Sequence, residues 1–167
     1  MSSALRIRTA GPDDAPAIAA LVRELADYEQ MLADARATPE DFARELSRPS
    51  PVAHVLLAEK GGELAGLALY FFNFSTFVGR AGLYLEDLYV RTAFRRQGVG
   101  LALLAELARV ALAHGCGRME WAVLDWNQPA IDFYERLGAR PLDDWRVFRL
   151  TPAGIAALSA RSPRTPS

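Results

Sequence analysis

The apolar run Leu83-Tyr84-Leu85-Glu86-Asp87-Leu88-Tyr89-Val90 passes directly into Arg91-Thr92-Ala93-Phe94-Arg95-Arg96-Gln97-Gly98-Val99-Gly100-Leu101 and then into a helix-periodic stretch. A strand, a short loop with two glycines and a helix in immediate succession restrict the chain to folds in which the helix packs back on its sheet. The helix predicted from about Gly98 to His114 puts Leu101, Leu104, Ala108 and Ala111 on one face. A helix start presents unpaired N–H groups and a partial positive charge. Gly98 and Gly100 allow close backbone approach, and Arg95 and Arg96 add full charges, so the loop is a candidate pyrophosphate cradle. The plainer alternative is a surface turn with solvated arginines. A dinucleotide fingerprint is excluded because Leu103 stands where a third small residue is needed. A Walker A loop is excluded because Lys60 is followed by Gly61.

The flanking sequence supplies the other layers. Residues 4–9 alternate as a half-buried strand and are stopped by Gly11-Pro12-Asp13-Asp14. Ile18, Leu21, Val22 and Leu25 form one helical stripe, in a helix ending near Asp27-Tyr28-Glu29. Thr38-Pro39-Glu40-Asp41 reads as the capped start of a second helix that buries Phe42 and Leu46. His54–Glu59 and Leu64–Phe72 are predicted strands joined by the hairpin signal Lys60-Gly61-Gly62-Glu63. Met119–Leu124 is a further predicted strand, Pro129–Leu137 a helix stopped by Gly138, and Trp145–Leu150 a final strand. The order predicts an α/β fold with a mixed, mostly antiparallel sheet flanked by helices. Its length suits a single domain over residues 1–160, with a mobile polar tail over 161–167.

Composition removes several kinds of chemistry. The net charge of −1 argues against nucleic-acid binding. No uncharged apolar stretch of about 18 residues occurs, so no membrane span is predicted, and with no signal-peptide pattern the protein reads as cytoplasmic. One cysteine, Cys116, cannot make an internal disulfide, and with only His54 and His114 no metal-ligand spacing exists. Of the basic residues only Lys60 is a lysine, so any anion site must draw on arginine and backbone.

The run Arg95-Arg96-Gln97-Gly98-Val99-Gly100 resembles the acetyl-CoA motif, Arg/Gln-x-x-Gly-x-Gly/Ala, of the GNAT superfamily of N-acetyltransferases. Three further segments resemble its spermidine/spermine branch, which also contains enzymes acting on thialysine and related diamines. They are Glu24-Leu25-Ala26-Asp27-Tyr28-Glu29, Leu83 to Val90, and Trp126-Asn127-Gln128-Pro129-Ala130-Ile131-Asp132-Phe133-Tyr134. The resemblance implies a twisted sheet with a splayed central strand pair at the cofactor site, acetyl-CoA as co-substrate, no metal and a homodimer. It assigns cofactor contacts to the backbone of Leu88, Tyr89 and Val90, to the loop from Arg95 through Leu101, and to Asn127, Pro129 and Ala130. Tyr134 matches the residue that protonates the departing thiolate. A phenol near pKa ~10 can serve a thiol near ~8.5 as its acid. Glu86 matches the residue that binds the amine and accepts its proton, and Asp87 is left as structural. Tyr28, Glu29 and, across a shorter segment, Asp143 or Asp144 match substrate contacts.

Each of these residues also has an ordinary reading. Tyr134 could be a core tyrosine with a wet hydroxyl, Asn127 a helix cap, Glu86 an exposed strand residue, and Tyr28 and Glu29 a polar helix end. Cys116 reads as a small filler without a catalytic partner. The expected activity is direct acetyl transfer from acetyl-CoA to a small cationic amine. The alternatives are an acyl-CoA-binding regulatory module without turnover and a peptide or protein N-acetyltransferase.

Overall fold

A computed structural model describes residues 4–163. Its backbone forms two compact units, Met1–Leu124 and Asp125–Ser167. The first contains strands β1 (Leu5–Thr9), β2 (His54–Lys60), β3 (Glu63–Ser75), β4 (Arg80–Val90) and β5 (Arg118–Trp121). Its helices are α1 (Ala15–Tyr28), α2 (Pro39–Leu46) and α3 (Val99–Ala113). The second unit holds α4 (Gln128–Arg136) and α5 (Pro152–Ser159).

The strands lie in the order β1-β2-β3-β4-β5, with three antiparallel pairings and a parallel β4–β5 pair. This is the mixed, mostly antiparallel sheet predicted from the element order. The β2–β3 turn has positive φ at both Gly61 and Gly62, a backbone that only glycine-like residues adopt readily. Thr38 caps α2 by accepting from the Asp41 amide, and the Asp41 carboxylate returns a bond to the Thr38 amide.

Both faces of the sheet are covered. Ile18, Leu21 and Leu25 of α1 pack with Val55, Leu57, Leu67, Leu69 and Tyr89, and Phe42 and Leu46 of α2 join that cluster. Phe72 alternates with these β3 residues and stacks on His114 at the end of α3, so α3 covers the opposite face. The buried residues of α3 are Val99, Leu103, Leu104, Leu107 and Ala111. The predicted face therefore needs correction: Leu101 and Ala108 are exposed. In a helix that starts at Val99, the spacing Val99, Leu103, Leu107 carries the stripe to the sheet.

Two other expectations change. β5 spans Arg118–Trp121 and stops short of the predicted Leu124. Trp145–Leu150, predicted as a strand, has no strand partner among the described residues, and its Trp145, Val147 and Phe148 side chains are largely exposed. A run rich in Trp, Val and Phe has the composition of a strand, but the ladder requires a neighbour. The tail expected over 161–167 lies mostly outside the described residues.

Candidate active site

The site is organised by an irregularity in β4. Tyr70 of β3 pairs with Leu85 and Leu69 pairs with Asp87, leaving Glu86 as an extra residue on β4. The bulge changes which side chains share a face. Leu83 and Leu85 oppose Phe72 and Tyr70 on the α3 side, whereas Asp87 and Tyr89 oppose Leu69 and Leu67 on the α1 side. Simple alternation would have kept Leu85 and Asp87 together.

At the same place β4 loses its other neighbour. Its pairing with β5 runs only from Gly82↔Arg118 to Leu85↔Trp121. From Glu86 to Val90 the strand pairs with β3 on one side and, among the described residues, with no strand on the other. The Arg91 amide donates to Ala65 O of β3 at 2.9 Å. Successive peptide groups alternate sides in a strand, so Leu88 and Val90 direct their N–H groups away from β3 and Tyr89 directs its own toward β3. Arg95 Nε donates to the Val90 carbonyl at 3.0 Å, covering an acceptor beside those donors.

The loop then turns into α3 through two left-handed residues, Arg96 at φ 60° and Gly98 at φ 80°. Gly98 O receives the first regular helical bond, from the Ala102 amide. Val99, Gly100 and Leu101 thus supply first-turn amides at an end that has no side-chain cap. Gln97 braces the loop: its Nε2 donates to Ala93 O at 2.8 Å, and its Oε1 accepts from Lys60 Nζ at 2.8 Å. The three arginines divide their work. Arg91 grips Glu24 through Nε and Nη2 and bonds Leu64 O at 3.0 Å. Arg95 lies over Tyr28. Arg96 is exposed and pairs with no carboxylate among the described residues.

Carboxylates gather on the α1 side of β4. Burial pushes the Asp87 carboxyl up to about 6, with the charges of Glu86 and Glu29 adding to the rise. Glu29, just past α1, is also raised by loss of solvent. Glu86 is exposed at the bulge. Asp87, expected to be structural, is therefore the desolvated acid of the group. The bulge that turns it to this face leaves no composition signal, and Lys60 and Glu24 likewise join the loop only through tertiary contacts.

In the second unit, Asn127 caps α4, its Oδ1 accepting from the Ala130 amide at 3.4 Å. Pro129 occupies the first turn, and Tyr134 lies on the same helix with its ring 5.5 Å from that of Phe133. Asp143 and Asp144 sit in an exposed turn. No group of three or more His, Cys, Asp or Glu side chains among the described residues could hold a metal, and no described helix is long and apolar enough to cross a membrane.

Residues 18–139, which include the strand β4 and the glycine-led start of α3, match the acetyltransferase (GNAT) family. The chain is 37% identical to the thialysine N-epsilon-acetyltransferase of Sus scrofa, covering 96% of this chain and 100% of that one. It is 40% identical to an L-ornithine N5-acetyltransferase of Arabidopsis thaliana over 71% of this chain and 49% of that protein. An integron cassette protein of V. cholerae superposes with a TM-score of 0.77 at 27% identity, covering 97% of this chain and 99% of that one. The chain belongs to the GNAT family and is an N-acetyltransferase.

Proposed function

We propose that the protein transfers acetyl from acetyl-CoA to a small cationic amine, such as a polyamine, diamine or thialysine-like compound, by direct attack in a ternary complex. The observation that carries this reading is the set of carboxylates Glu29, Glu86 and Asp87 beside a stretch of β4 that, among the described residues, has a strand partner on one side only. That arrangement suits a cationic amine meeting an anionic thioester cofactor. Likeness to enzymes named for thialysine and L-ornithine supports the same substrate class.

The first-turn amides of α3 and the Arg96 guanidinium bind the pyrophosphate. Leu88 and Val90 N–H groups hold the pantetheine and steady the oxyanion that develops at the thioester carbonyl. Glu86 and Glu29 attract the substrate ammonium, with Tyr28 beside them. An ammonium has no lone pair, so its proton must leave before attack. Asp87, or Glu86 through water, accepts it. The amine nitrogen then bonds to the acetyl carbon, the C–S bond breaks, and Tyr134 gives its proton to the CoA thiolate; the second proton shed by the nitrogen passes through water to restore the Tyr134 phenol. One domain over residues 1–160, a cytoplasmic location and a homodimer complete the proposal.

A thiol-release screen with acetyl-CoA over polyamines, diamines, amino acids and peptide N-termini tests it. Saturable release with a small cationic amine is expected. Tight acetyl-CoA binding without turnover of any amine would identify a regulatory module, and release with peptides alone would identify a protein acetyltransferase.

A further inference from the structure

Arg95 belongs to the loop that opens α3, yet its guanidinium turns away from the helix start. Its central carbon lies 4.7 Å from the centroid of the Tyr28 ring and 5.9 Å from that of Tyr89, while Nε is held by Val90 O at 3.0 Å. A guanidinium at this distance from an aromatic face is attracted by the ring quadrupole. Tyr28 is the last residue of α1, immediately before Glu29, the carboxylate whose charge reaches Asp87. One turn earlier, Glu24 is gripped by Arg91. Glu24 and Tyr28 are i, i+4 neighbours, so two arginines four residues apart hold one face of the end of α1.

We propose that Arg95 is a positioning residue for the amine pocket, acting through the Tyr28 ring, and not a ligand of the cofactor pyrophosphate. This rests on the reading of Tyr28 and Glu29 as the amine side of the site. Arg95 fixes the end of α1 against the strand–loop junction, so the tyrosine and the following carboxylate meet the amine from a set direction. A lysine keeps the charge but cannot present a flat face to Tyr28 while donating sideways to Val90 O.

The test is a double-mutant cycle of Arg95→Leu and Tyr28→Ala in the full chain, read by amine KM and, separately, by calorimetry of acetyl-CoA binding. Arg95→Leu is expected to raise amine KM about two- to thirty-fold, the span of measured cation–π energies, with acetyl-CoA affinity changed less than about three-fold. In the Tyr28→Ala background it should add almost nothing to amine KM. Arg95→Lys should fall between wild type and Arg95→Leu, and it keeps the cycle available if the leucine variant does not fold. Multiplicative effects of the two substitutions, or a tenfold loss of acetyl-CoA affinity with unchanged amine KM, would overturn the proposal. A wild-type chain that acetylates no amine would instead refute the functional reading on which it rests.

Discussion

Asp87 sits where folding works against ionisation. Its carboxyl is raised from 3.8 to about 6 by burial first and by Glu86 and Glu29 second, so the folded chain holds that proton more tightly than the unfolded one. Unfolding between those values releases the proton, and stability therefore falls as pH rises through about 4 to 6. The ionised carboxylate costs the folded state on the order of 3 kcal/mol at neutral pH. Asp87→Asn is accordingly expected to raise Tm at pH 7.5 while matching wild type near pH 4, which thermal melts at both pH values would check. On the proposed reading, in which Asp87 accepts the amine proton, the raised pKa suits it to act as a base near neutral pH. The acidic limb of kcat/KM near pH 6 should disappear in the same variant, over a lower plateau. A Tm equal to wild type at both pH values would show that Asp87 is not perturbed. Tyr134→Phe isolates the other end of proton transfer, because only an oxygen is removed. Turnover should drop about 10²–10⁴-fold if the phenol is the general acid. Acetyl-CoA affinity should barely move, since one neutral hydrogen bond contributes about 0.5–1.5 kcal/mol. Steady-state kinetics within three-fold of wild type would leave Tyr134 an ordinary aromatic residue.

At the scale of elements, the junction of β4 with α3 depends on Gly98. A Cβ built there meets nothing within 4 Å, so the obstacle to a side chain is the φ of 80° and not a clash. A β-branched residue at that φ costs about 1–3 kcal/mol, and a domain with about 5–15 kcal/mol of stability stays folded. Gly98→Val relieves its strain by shifting the loop, and the first amides of α3 then lose their aim. Acetyl-CoA affinity measured by calorimetry should fall ten-fold or more, about 1.4 kcal/mol, and an unchanged value in a folded variant would remove the loop from the cofactor site. This junction was the most legible part of the chain, because glycines, arginines and a change of period from strand to helix all fall within a few residues. The α1 stripe of Ile18, Leu21 and Leu25 was legible for the same reason: a regular period points at one surface. The bulge at Glu86 was not. It depends on how β3 and β4 pair, and pairing is a property of two segments that neither one encodes alone. The misplaced face of α3 has a related cause. In a helix this rich in leucine and alanine several stripes look apolar, and only the position of the sheet decides that Leu103 is buried and Leu101 exposed.

At the largest scale, the second unit carries large apolar side chains that its own fold leaves exposed. Trp145 is 75% exposed, Val147 87% and Phe148 91%, within a run rich in strand-forming residues. Scattered exposed hydrophobics are ordinary, but three large ones in four residues, with no ladder partner among the described residues, form a patch of the kind that marks interfaces. A closed pair of identical chains is the commonest way to cover such a segment, because each copy offers the same surface to the other. The proposed homodimer would bury the Trp145–Leu150 run, and Phe148→Asp should break it by placing a charge where water is excluded. Sedimentation equilibrium over a range of protein concentrations checks this. Wild type should sediment as a dimer and the aspartate variant as a monomer with an unchanged far-ultraviolet spectrum, since a side chain this exposed contributes little within its own chain. A wild-type protein that remains monomeric at tens of micromolar, or a dimer indifferent to Phe148→Asp, would place the interface elsewhere or remove it.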